Sequence, residues 1–265
     1  MSKKYTICYN KEIENTSRIS EAIENILDKS CVNYDSADIE NLKSDSDFAF
    51  VIGGDGTILK AARFYAKFGI PVFGINLGHL GFLSQACESE IKNSIKKILS
   101  SEYKIESRIM LESGQYIALN DFVVKGEDTS RAANFSLEID GEFVCEYFAD
   151  GLIVSTPTGS TAYGMAAGGP ILSPNLDATV IVPICPHTFA ARPLVVSSES
   201  KIKIITSHDK KFTASADGQN VFTFEKDIEI KKSNYSAKLA LLNDNSFYSV
   251  LRNKLHWGIS TTKCK

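Results

Sequence analysis

The chain has 265 residues, of which 43% are hydrophobic and 23% charged, a composition typical of a globular protein with one large domain or two modest ones. Its formal net charge of -3 argues against a nucleic-acid partner, because phosphate backbones are held mainly by dense lysine and arginine. No apolar run approaches the roughly 20 residues of a membrane span, and no apolar signal segment follows the first lysines. We therefore expect a cytoplasmic protein with no membrane partner.

The six cysteines are scattered along the sequence. They form no Cys-x-x-Cys motif, and no pair of them has a histidine clustered nearby. Metal sites and disulfides both need partners at defined spacing. We therefore expect small buried or surface thiols, and we predict no metal site built from the protein's own side chains.

Strands and helices alternate over roughly the first hundred residues. Short apolar runs predict strands at 3–10, 47–52 and 71–75, and apolar residues at helical spacing predict helices at 16–29, 57–68 and 88–99. Alternation of this kind is typical of a parallel sheet covered by helices. We therefore predict an α/β domain in the first part of the chain.

The pattern changes near Glu102 to short β-branched or aromatic runs between turn residues. The predicted strands lie at 116–118, 122–125, 133–139, 142–148, 152–155, 179–184, 194–196, 201–206, 211–216 and 227–231. Asp140-Gly141 is a hairpin signal, because both residues tolerate positive φ. We predict a β-rich, mostly antiparallel second domain and, at 247–257, a final amphipathic helix.

A glycine-rich loop, Gly53-Gly54-Asp55-Gly56-Thr57, separates a predicted buried strand from a predicted helix. Its glycines let backbone N–H groups approach an anion, and the helix N-terminus adds a partial positive charge. The loop is neither a G-x-x-x-x-G-K-[ST] motif nor a G-x-G-x-x-G motif. We therefore predict a phosphate site of a different type.

Asp55 is the unexpected residue of this loop. A carboxylate beside a phosphate is repelled unless it binds a metal or takes a proton from a hydroxyl. The alternative is that Asp55 caps the following helix, as aspartate often does. Capping does not explain three glycines around the acid, so Asp55 is the candidate catalytic residue.

The loop resembles the signature shared by NAD kinases and by diacylglycerol, sphingosine and 6-phosphofructo kinases. Further segments narrow the resemblance to bacterial NAD kinases, and they occur in the order of that family from about residue 48 to residue 258. These segments are NLGHLGFL at 76–83, ND at 120–121, DGLIVSTPTGSTAY at 150–163, PICPH at 183–187 with RPL at 192–194, DGQ at 217–219 and LRNKLHWG at 251–258.

The resemblance implies the fold of the NAD kinase and diacylglycerol kinase-like superfamily. That fold has an α/β N-terminal domain, a β-rich, antiparallel, sandwich-like second domain, and a C-terminal helix that returns to the first domain. In this sequence the domains would comprise residues 1–100 with 237–265, and residues 101–236.

The resemblance also implies an activity. An NAD kinase transfers the terminal phosphoryl group of ATP, or of inorganic polyphosphate, to the 2′-hydroxyl of the adenosine ribose of NAD and so forms NADP. Mg²⁺ or another divalent cation would accompany ATP. Family members are commonly dimers or tetramers, so the resemblance implies a homodimer or homotetramer with a site shared between subunits.

By the same resemblance, Asp55 is the base or orienting group for the ribose hydroxyl, while Gly54, Gly56 and Thr57 hold phosphate. A ribose hydroxyl is a poor nucleophile near neutral pH, so a carboxylate that accepts its proton is an expected aid.

Asn120 and Asp121 are assigned to the dinucleotide. The amide of Asn120 would read the adenine edge, because it offers both a donor and an acceptor, and Asp121 would accept hydrogen bonds from ribose hydroxyls. The alternative is that the pair is a plain turn between two strands.

The segment after Asp150 offers hydroxyls, backbone N–H groups and one aromatic face, which suit a sugar and a base. The residues assigned to the dinucleotide are Ser160, Thr161, Ala162 and Tyr163. In the family, the position of Asp150 meets the nicotinamide end from a neighbouring subunit. The alternative is a long polar turn between a strand and a helix.

The resemblance assigns a substrate role to further positions, namely Lys60, Phe82, Arg131, Phe148, Ala166, Cys185 and Gln219. Phe82 would line the substrate pocket, and Cys185 would approach the nicotinamide end. Solvated surface charge is the alternative for Lys60 and Arg131. Phe148 stands where many members have a basic residue, and Ala166 where a polar residue is often found.

Two other functions remain as alternatives. A lipid kinase of the same superfamily would need an apolar or amphipathic basic surface beside its site, and the sequence has no segment of that character. A non-catalytic sensor of NAD or NADP would gain nothing from a carboxylate that faces phosphates, which argues against it because Asp55 is intact.

Overall fold

The computed structural model describes residues 3–13, 15–78, 81–128, 131–206, 211–242 and 246–257. The chain forms two compact units, one comprising Met1–Ser107 with Ala237–Lys265 and the other comprising Arg108–Ser236. Within the described ranges, no helix is both long and apolar enough to cross a membrane.

The first unit begins with alternating strands and helices. Its elements are β1 (Lys4–Tyr9), α1 (Thr16–Lys29), β2 (Asn33–Asp38), β3 (Phe48–Ile52), α2 (Asp55–Ala66), β4 (Val72–Asn76), β5 (Ser84–Cys87), a 3-10 turn (Glu88–Glu90) and α3 (Ile91–Leu99). Strand β1 pairs in parallel with β2 and β3, β3 with β4, and β4 with β5. The predicted parallel α/β layer is therefore confirmed.

Helix α1 packs on this sheet through one face. Ile19, Ile23 and Leu27 recur at the spacing of an amphipathic helix, and all three are buried. They join a core that includes Phe50 of β3 and Phe73 of β4. All five residues of β3 are buried, as expected for an inner strand covered on both faces.

The second unit is rich in antiparallel strands. Its elements are β6 (Lys104–Ser113, which starts in the first unit), β7 (Tyr116–Ala118), β8 (Asp121–Gly126), β9 (Ala133–Ile139), β10 (Glu142–Ala149), β11 (Gly151–Ser155), a 3-10 turn (Gly159–Thr161), α4 (Tyr163–Ala166), β12 (Ala178–Ile184), β13 (Leu194–Ser197), β14 (Ile202–Thr206), β15 (Phe212–Ala216) and β16 (Asn220–Phe224).

Two sheets of the second unit enclose one core. Six strands form a sheet in the order β13-β12-β11-β8-β15-β16, and every neighbouring pair is antiparallel. Strands β10, β9 and β14 pair antiparallel in the other sheet. Phe122 and Phe212 of the six-stranded sheet share a hydrophobic core with Phe135 and Leu137 of β9. The sandwich-like prediction is therefore confirmed.

The last strand, β17 (Asp227–Leu241), runs through both units. Its start pairs antiparallel with β14 in the second unit, and near its end Leu239 is in parallel register with Val72 of β4 in the first. Helix α5 (Phe247–Leu255) follows in the first unit, as the resemblance implied. Its N-cap is Ser246, whose side chain accepts a hydrogen bond from the backbone N–H of Ser249.

Candidate active site

The glycine loop is shorter than the sequence pattern suggested, because α2 starts at Asp55 and only Gly53 and Gly54 separate it from β3. Gly53 has a φ of 154°, and a Cβ there would lie 2.7 Å from the Cβ of Thr57. Gly54 has open space around it, and both Gly54 and Gly56 are exposed. The first turn of α2 is therefore accessible to an anion, which a helix N-terminus favours.

The carboxylate of Asp55 is held by backbone donors from the chain just before β5. Its Oδ2 accepts a hydrogen bond from the N–H of Phe82 at 3.0 Å, and its Oδ1 accepts one from the N–H of Leu83 at 3.3 Å. A side chain at Gly81 would not fit, since a Cβ there would lie 2.0 Å from Asp55 Oδ1. Asp55 lies inside the helix and the N-cap is Gly54, so capping does not account for the acid.

The second unit has a cavity of about 400 Å³ over one face of the six-stranded sheet. Asp121, Val123 and Lys125 of β8 line it together, because alternate residues of a strand point to the same face. Thr213 and Ser215 of β15 lie beside them, in register with Lys125 and Val123 respectively. The cavity therefore combines an apolar floor with hydroxyl, carboxyl and amino groups.

Asn120, the residue just before β8, also lines the cavity. The polar loop that follows β11 packs against the backbone of Asn120. The carbonyl oxygen of Asn120 accepts hydrogen bonds from the N–H of Thr156 at 2.8 Å and the hydroxyl of Ser155 at 3.2 Å. The hydroxyl of Thr156 donates to the carbonyl of Leu119 at 2.6 Å. A Cβ on Gly159 would lie 2.2 Å from the Asn120 carbonyl oxygen, so only glycine fits at that contact.

The same loop contributes Ala162 and Tyr163 to the cavity, whereas Ser160 and Thr161 are buried within it. The hydroxyl of Ser160 donates to the carbonyl of Pro157 at 2.7 Å and accepts from the N–H of Leu172 at 2.9 Å. Both hydroxyls therefore bond within the protein, since that of Thr161 donates to a loop carbonyl at 3.2 Å. Their predicted contacts with the dinucleotide stay predictions.

Lys125 contacts the ring of Tyr163 at the mouth of the cavity. Its Nζ lies 5.4 Å from the ring centroid and donates to the phenolic oxygen at 3.3 Å. An ammonium group in this position is attracted by the ring face. Sequence reasoning missed Lys125, although its place two residues beyond Val123 and four beyond Asp121 was a usable signal for a shared strand face.

Asp121 is 4% exposed. Burial raises the pKa of its carboxyl group to about 7, and the nearby negative charge of Asp217 contributes to the same shift. Burial acts in this direction because it disfavours the charged form, and a like charge does the same. A perturbed carboxyl group in a cavity is a frequent property of functional sites.

Both halves of the sequence match one enzyme family. Residues 2–103 match the ATP-NAD kinase N-terminal domain, and residues 119–242 match the ATP-NAD kinase C-terminal domain. The chain belongs to the NAD kinase family. The resemblance to bacterial NAD kinases is therefore confirmed, and the activity of this chain is that of an NAD kinase.

Individual NAD kinases agree with this assignment. The NAD kinase of Pseudomonas fluorescens (strain Pf0-1) is 46% identical over 225 residues, which cover 80% of this chain and 76% of that protein. The NAD kinase of Azotobacter vinelandii is 45% identical over the same shares of both chains. These matches do not support the alternative of a lipid kinase.

Solved structures of NAD kinases and related kinases have the same fold. The crystal structure of an NAD kinase from Archaeoglobus fulgidus in complex with ATP has a TM-score of 0.81 at 30% identity and covers 96% of this chain and 98% of its own. Yeast NADH kinase complexed with NADH also has a TM-score of 0.81, at 24% identity, over 100% of this chain and 90% of its own. The predicted fold class is confirmed.

Asp150 and Cys185, which the NAD kinase resemblance assigned to the nicotinamide end, lie close to Phe148 on the second unit. The rings of Phe148 and His187 meet edge to face with their centroids 5.0 Å apart. The backbone carbonyl of Phe148 accepts a hydrogen bond from the backbone N–H of His187 at 2.8 Å. Cys185 follows β12, and the N–H of Asp150 donates to the carbonyl of Ile184 at 3.0 Å. Phe148, Asp150 and Cys185 are all exposed.

The remaining assigned positions are not among the residues that line the cavity. Lys60 forms an ion pair with Glu40, and exposed Arg131 lies 3.7 Å from Asp128, so both have the surface-charge character of the alternative interpretation. Ala166 is exposed in α4, and Gln219 is exposed in the turn after β15. Phe82 is half-buried beside Asp55.

Part of the NLGHLGFL segment cannot be placed, because His79 and Leu80 lie outside the described residues. Across the part of the chain that the structure describes, no three or more His, Cys, Asp or Glu side chains are grouped so that they could hold a metal ion.

Proposed function

We propose that this NAD kinase transfers the terminal phosphoryl group of ATP to the 2′-hydroxyl of the adenosine ribose of NAD, forming NADP and ADP. The observation that carries the proposal is the Asp55 carboxylate, which the N–H groups of Phe82 and Leu83 fix beside a helix start open to phosphate. The related Archaeoglobus enzyme was crystallised with ATP, which supports the same donor here.

In the proposed step, the ribose oxygen forms a new bond to the γ-phosphorus as the bond from that phosphorus to the β,γ-bridging oxygen breaks. Asp55 accepts the proton of the attacking hydroxyl, and ADP leaves with the bridging oxygen. Phosphoryl transfer depends mostly on positioning and on stabilisation of phosphate charge. Gly54, the N-cap of α2, and Gly56 and Thr57 in its first turn would supply that stabilisation through the partial positive charge of the helix start and the Thr57 hydroxyl.

Mg²⁺ or another divalent cation enters this reaction as part of the nucleotide substrate. Mg²⁺ prefers to keep several waters and is commonly held by substrate phosphates with one or two carboxylates. Its charge would offset the charge of the phosphates.

The cavity of the second unit would hold NAD. Its volume of about 400 Å³ lies within the range of roughly 300–1,000 Å³ that is usual for small-molecule sites. In the proposal, the Asn120 amide reads the adenine edge, the Asp121 carboxylate accepts hydrogen bonds from ribose hydroxyls, and Tyr163 offers an aromatic face. Lys125 lines the cavity, and its ammonium group would offer one positive charge to the phosphates of the dinucleotide.

The proposed function is tested by incubating purified protein with Mg-ATP and NAD and measuring NADP. We expect NADP and ADP to form in equal amounts, because each transfer consumes one ATP. A parallel reaction with diacylglycerol in vesicles replaces NAD as the acceptor and should give no phosphorylated lipid. Binding of NAD without any NADP would contradict the proposal and would favour the sensor alternative.

We also propose that the chain works as a homodimer or homotetramer in which a neighbouring subunit completes the nicotinamide end of the site. Phe148, Asp150 and Cys185 lie exposed and close together, as residues that reach a neighbouring subunit must. Size-exclusion chromatography with light scattering at assay concentrations is expected to give the mass of two or four chains. A fully active single-chain species would contradict this proposal.

A further inference from the structure

Asp217 lies in the turn that joins β15 to β16 and faces the same cavity. Its φ is 52°, and that of the following Gly218 is 64°. Aspartate and glycine are among the residues that adopt positive φ most readily, so the backbone of this turn is typical for its sequence. The position of its side chain is less usual for a turn residue.

The Asp217 carboxylate accepts hydrogen bonds from three consecutive backbone N–H groups. Oδ1 accepts those of Asn120 at 2.7 Å and Asp121 at 3.1 Å, and Oδ2 accepts that of Leu119 at 3.0 Å. In return, the N–H of Asp217 donates to the carbonyl of Asp121 at 2.9 Å. Four hydrogen bonds therefore hold the turn against Leu119, Asn120 and Asp121. The last two of these residues line the cavity.

We propose that Asp217 is a positioning residue for NAD, which holds Asn120 and Asp121 in the orientation in which their side chains meet the dinucleotide. The inference rests on the proposed function, in which those two side chains contact NAD. A carboxylate suits this task, because two oxygens with several lone pairs can accept three donors at once, whereas an amide has only one acceptor oxygen.

Asp217 also acts on Asp121 through its charge. Burial is the main reason that the pKa of the Asp121 carboxyl is raised to about 7, and the negative charge of Asp217 adds to it. The other titratable groups of the cavity are Lys125 and Tyr163, which bond to each other. Because the pKa is raised, Asp121 is mostly protonated in the free protein below pH 7 and becomes a negatively charged carboxylate, which only accepts hydrogen bonds, as the pH rises.

The affinity for NAD should therefore rise with pH. With a pKa near 7, the ionised fraction of Asp121 is roughly one tenth at pH 6 and nine tenths at pH 8, so the dissociation constant should fall about tenfold between them. Titration calorimetry with NAD alone, without ATP, measures this dependence. The Asp121→Asn variant should lose the dependence, since it removes the group that titrates.

Asp217→Asn tests the positioning role, because asparagine keeps the shape and tolerates positive φ but removes the charge and one acceptor. We expect it to bind NAD about tenfold more weakly at pH 8, as loss of one charge-assisted hydrogen bond would produce. We also expect the ratio of affinities at pH 8 and pH 6 to fall below tenfold, because the part of the Asp121 pKa shift that the charge of Asp217 causes is lost while the larger part caused by burial remains. The KM for NAD should rise more than kcat falls.

Asp140→Asn is the matched control. Asp140 also has a positive φ, of 54°, and its carboxylate accepts the N–H of Lys201 at 2.8 Å in another turn of the same unit, outside the cavity. This variant should bind NAD as the unchanged protein does at both pH values. Weakened binding in both variants alike would show a general effect of turn aspartates and would overturn the positioning role.

The outcomes separate the two proposals. A protein that neither binds NAD nor forms NADP contradicts the proposed function itself. A protein that forms NADP, but whose Asp217→Asn variant binds NAD normally at pH 6 and pH 8, contradicts only the role of Asp217. If Asp217→Asn does not fold, amide hydrogen exchange of the unsubstituted protein decides, since exchange of the Leu119, Asn120 and Asp121 N–H groups at the rate of unbonded amides would overturn the inference.

Discussion

The Asp55→Asn variant is expected to form NADP about 10²–10⁴ times more slowly than the unchanged protein, the range that a positioned general base contributes. Asparagine cannot accept the proton of the ribose hydroxyl, so the chemical step loses its base. The affinity for NAD should change little, because the residues proposed to bind the dinucleotide lie in the cavity of the second unit. Steady-state NADP formation and NAD titration calorimetry measure the two effects separately.

Asparagine at this position can still accept one of the two backbone hydrogen bonds from Phe82 and Leu83. The expected loss of stability is about 1 kcal/mol, so the assay belongs well below the unfolding midpoint. Asp28→Asn is the matched control, since Asp28 is an exposed aspartate of α1 in the same unit and should be replaceable without effect. Full turnover in Asp55→Asn would show that Asp55 is not the catalytic base.

Replacing Gly159 by alanine is expected to raise the KM for NAD by roughly 10–100-fold, because the added methyl group must displace the segment that carries Asn120. A Cβ at this position would lie 2.2 Å from the carbonyl oxygen, 2.4 Å from the carbonyl carbon and 2.6 Å from the Cα of Asn120. All three are backbone atoms, which cannot avoid the contact by rotating a side chain.

The loop has little freedom to move instead. Thr156 and Ser155 both donate to the same Asn120 carbonyl, and the N–H of Gly159 donates to the Thr156 hydroxyl at 3.1 Å. Overpacking at such a site typically costs about 1–3 kcal/mol of folding stability. Thermal unfolding and NADP kinetics at varied NAD concentration measure the two consequences.

Gly126→Ala is the control for this prediction. Gly126 is the last residue of β8, in the six-stranded sheet. A Cβ at Gly126 would lie 3.7 Å from its nearest neighbour, the carbonyl oxygen of Asp128, which is an ordinary van der Waals distance. Its KM and unfolding temperature should match those of the unchanged protein. Wild-type kinetics and stability in Gly159→Ala would instead refute the close approach of the loop to Asn120.

Periodicity in the sequence was a sound guide where an element buries one regular face. The bounds of α1, Thr16–Lys29, coincide with those predicted, since Ile19, Ile23 and Leu27 form one apolar face. Helix α2 begins at Asp55 rather than at Thr57, and the first turn of the predicted helix 88–99 is a 3-10 turn. Ends of helices depend on local hydrogen bonds, which periodicity does not report.

Strands held mainly by their neighbours were missed. The sequence of β2, Asn-Tyr-Asp-Ser-Ala-Asp, has almost no strand propensity, yet it pairs along its whole length with β1, and Asp35 accepts the hydroxyl of Thr6 at 2.6 Å. The strand β5, Ser-Gln-Ala-Cys, is likewise short and polar and pairs with β4. Register with an existing strand, rather than intrinsic preference, places both elements.

The residues of the candidate site also fall into two groups, those that the sequence pointed to and those that only the structure revealed. The glycine loop and Asp55 could be selected from their residue types and spacing, whereas Asn120 and Asp121 were selected through the resemblance to NAD kinases. Lys125 was missed although the strand alternation of β8 pointed to it, and Asp217 was noted only as part of the DGQ segment, without a role. Asp217 accepts a hydrogen bond from the backbone N–H of Asn120, which lies 97 residues away in the sequence. This contact exists only after β8 and β15 have paired.

By itself, the sequence determined the order of the two domains, the family, and the position of an acid in the glycine loop, because these depend on local pattern and on residue identity. Only the tertiary structure decided which polar groups share the cavity. The alternation of side chains along β8 turns Asp121 and Lys125 towards it, whereas the hydroxyls of Ser160 and Thr161 bond to carbonyls of their own loop. The reason is physical: the direction of a side chain depends on register and packing, which join residues far apart in the chain.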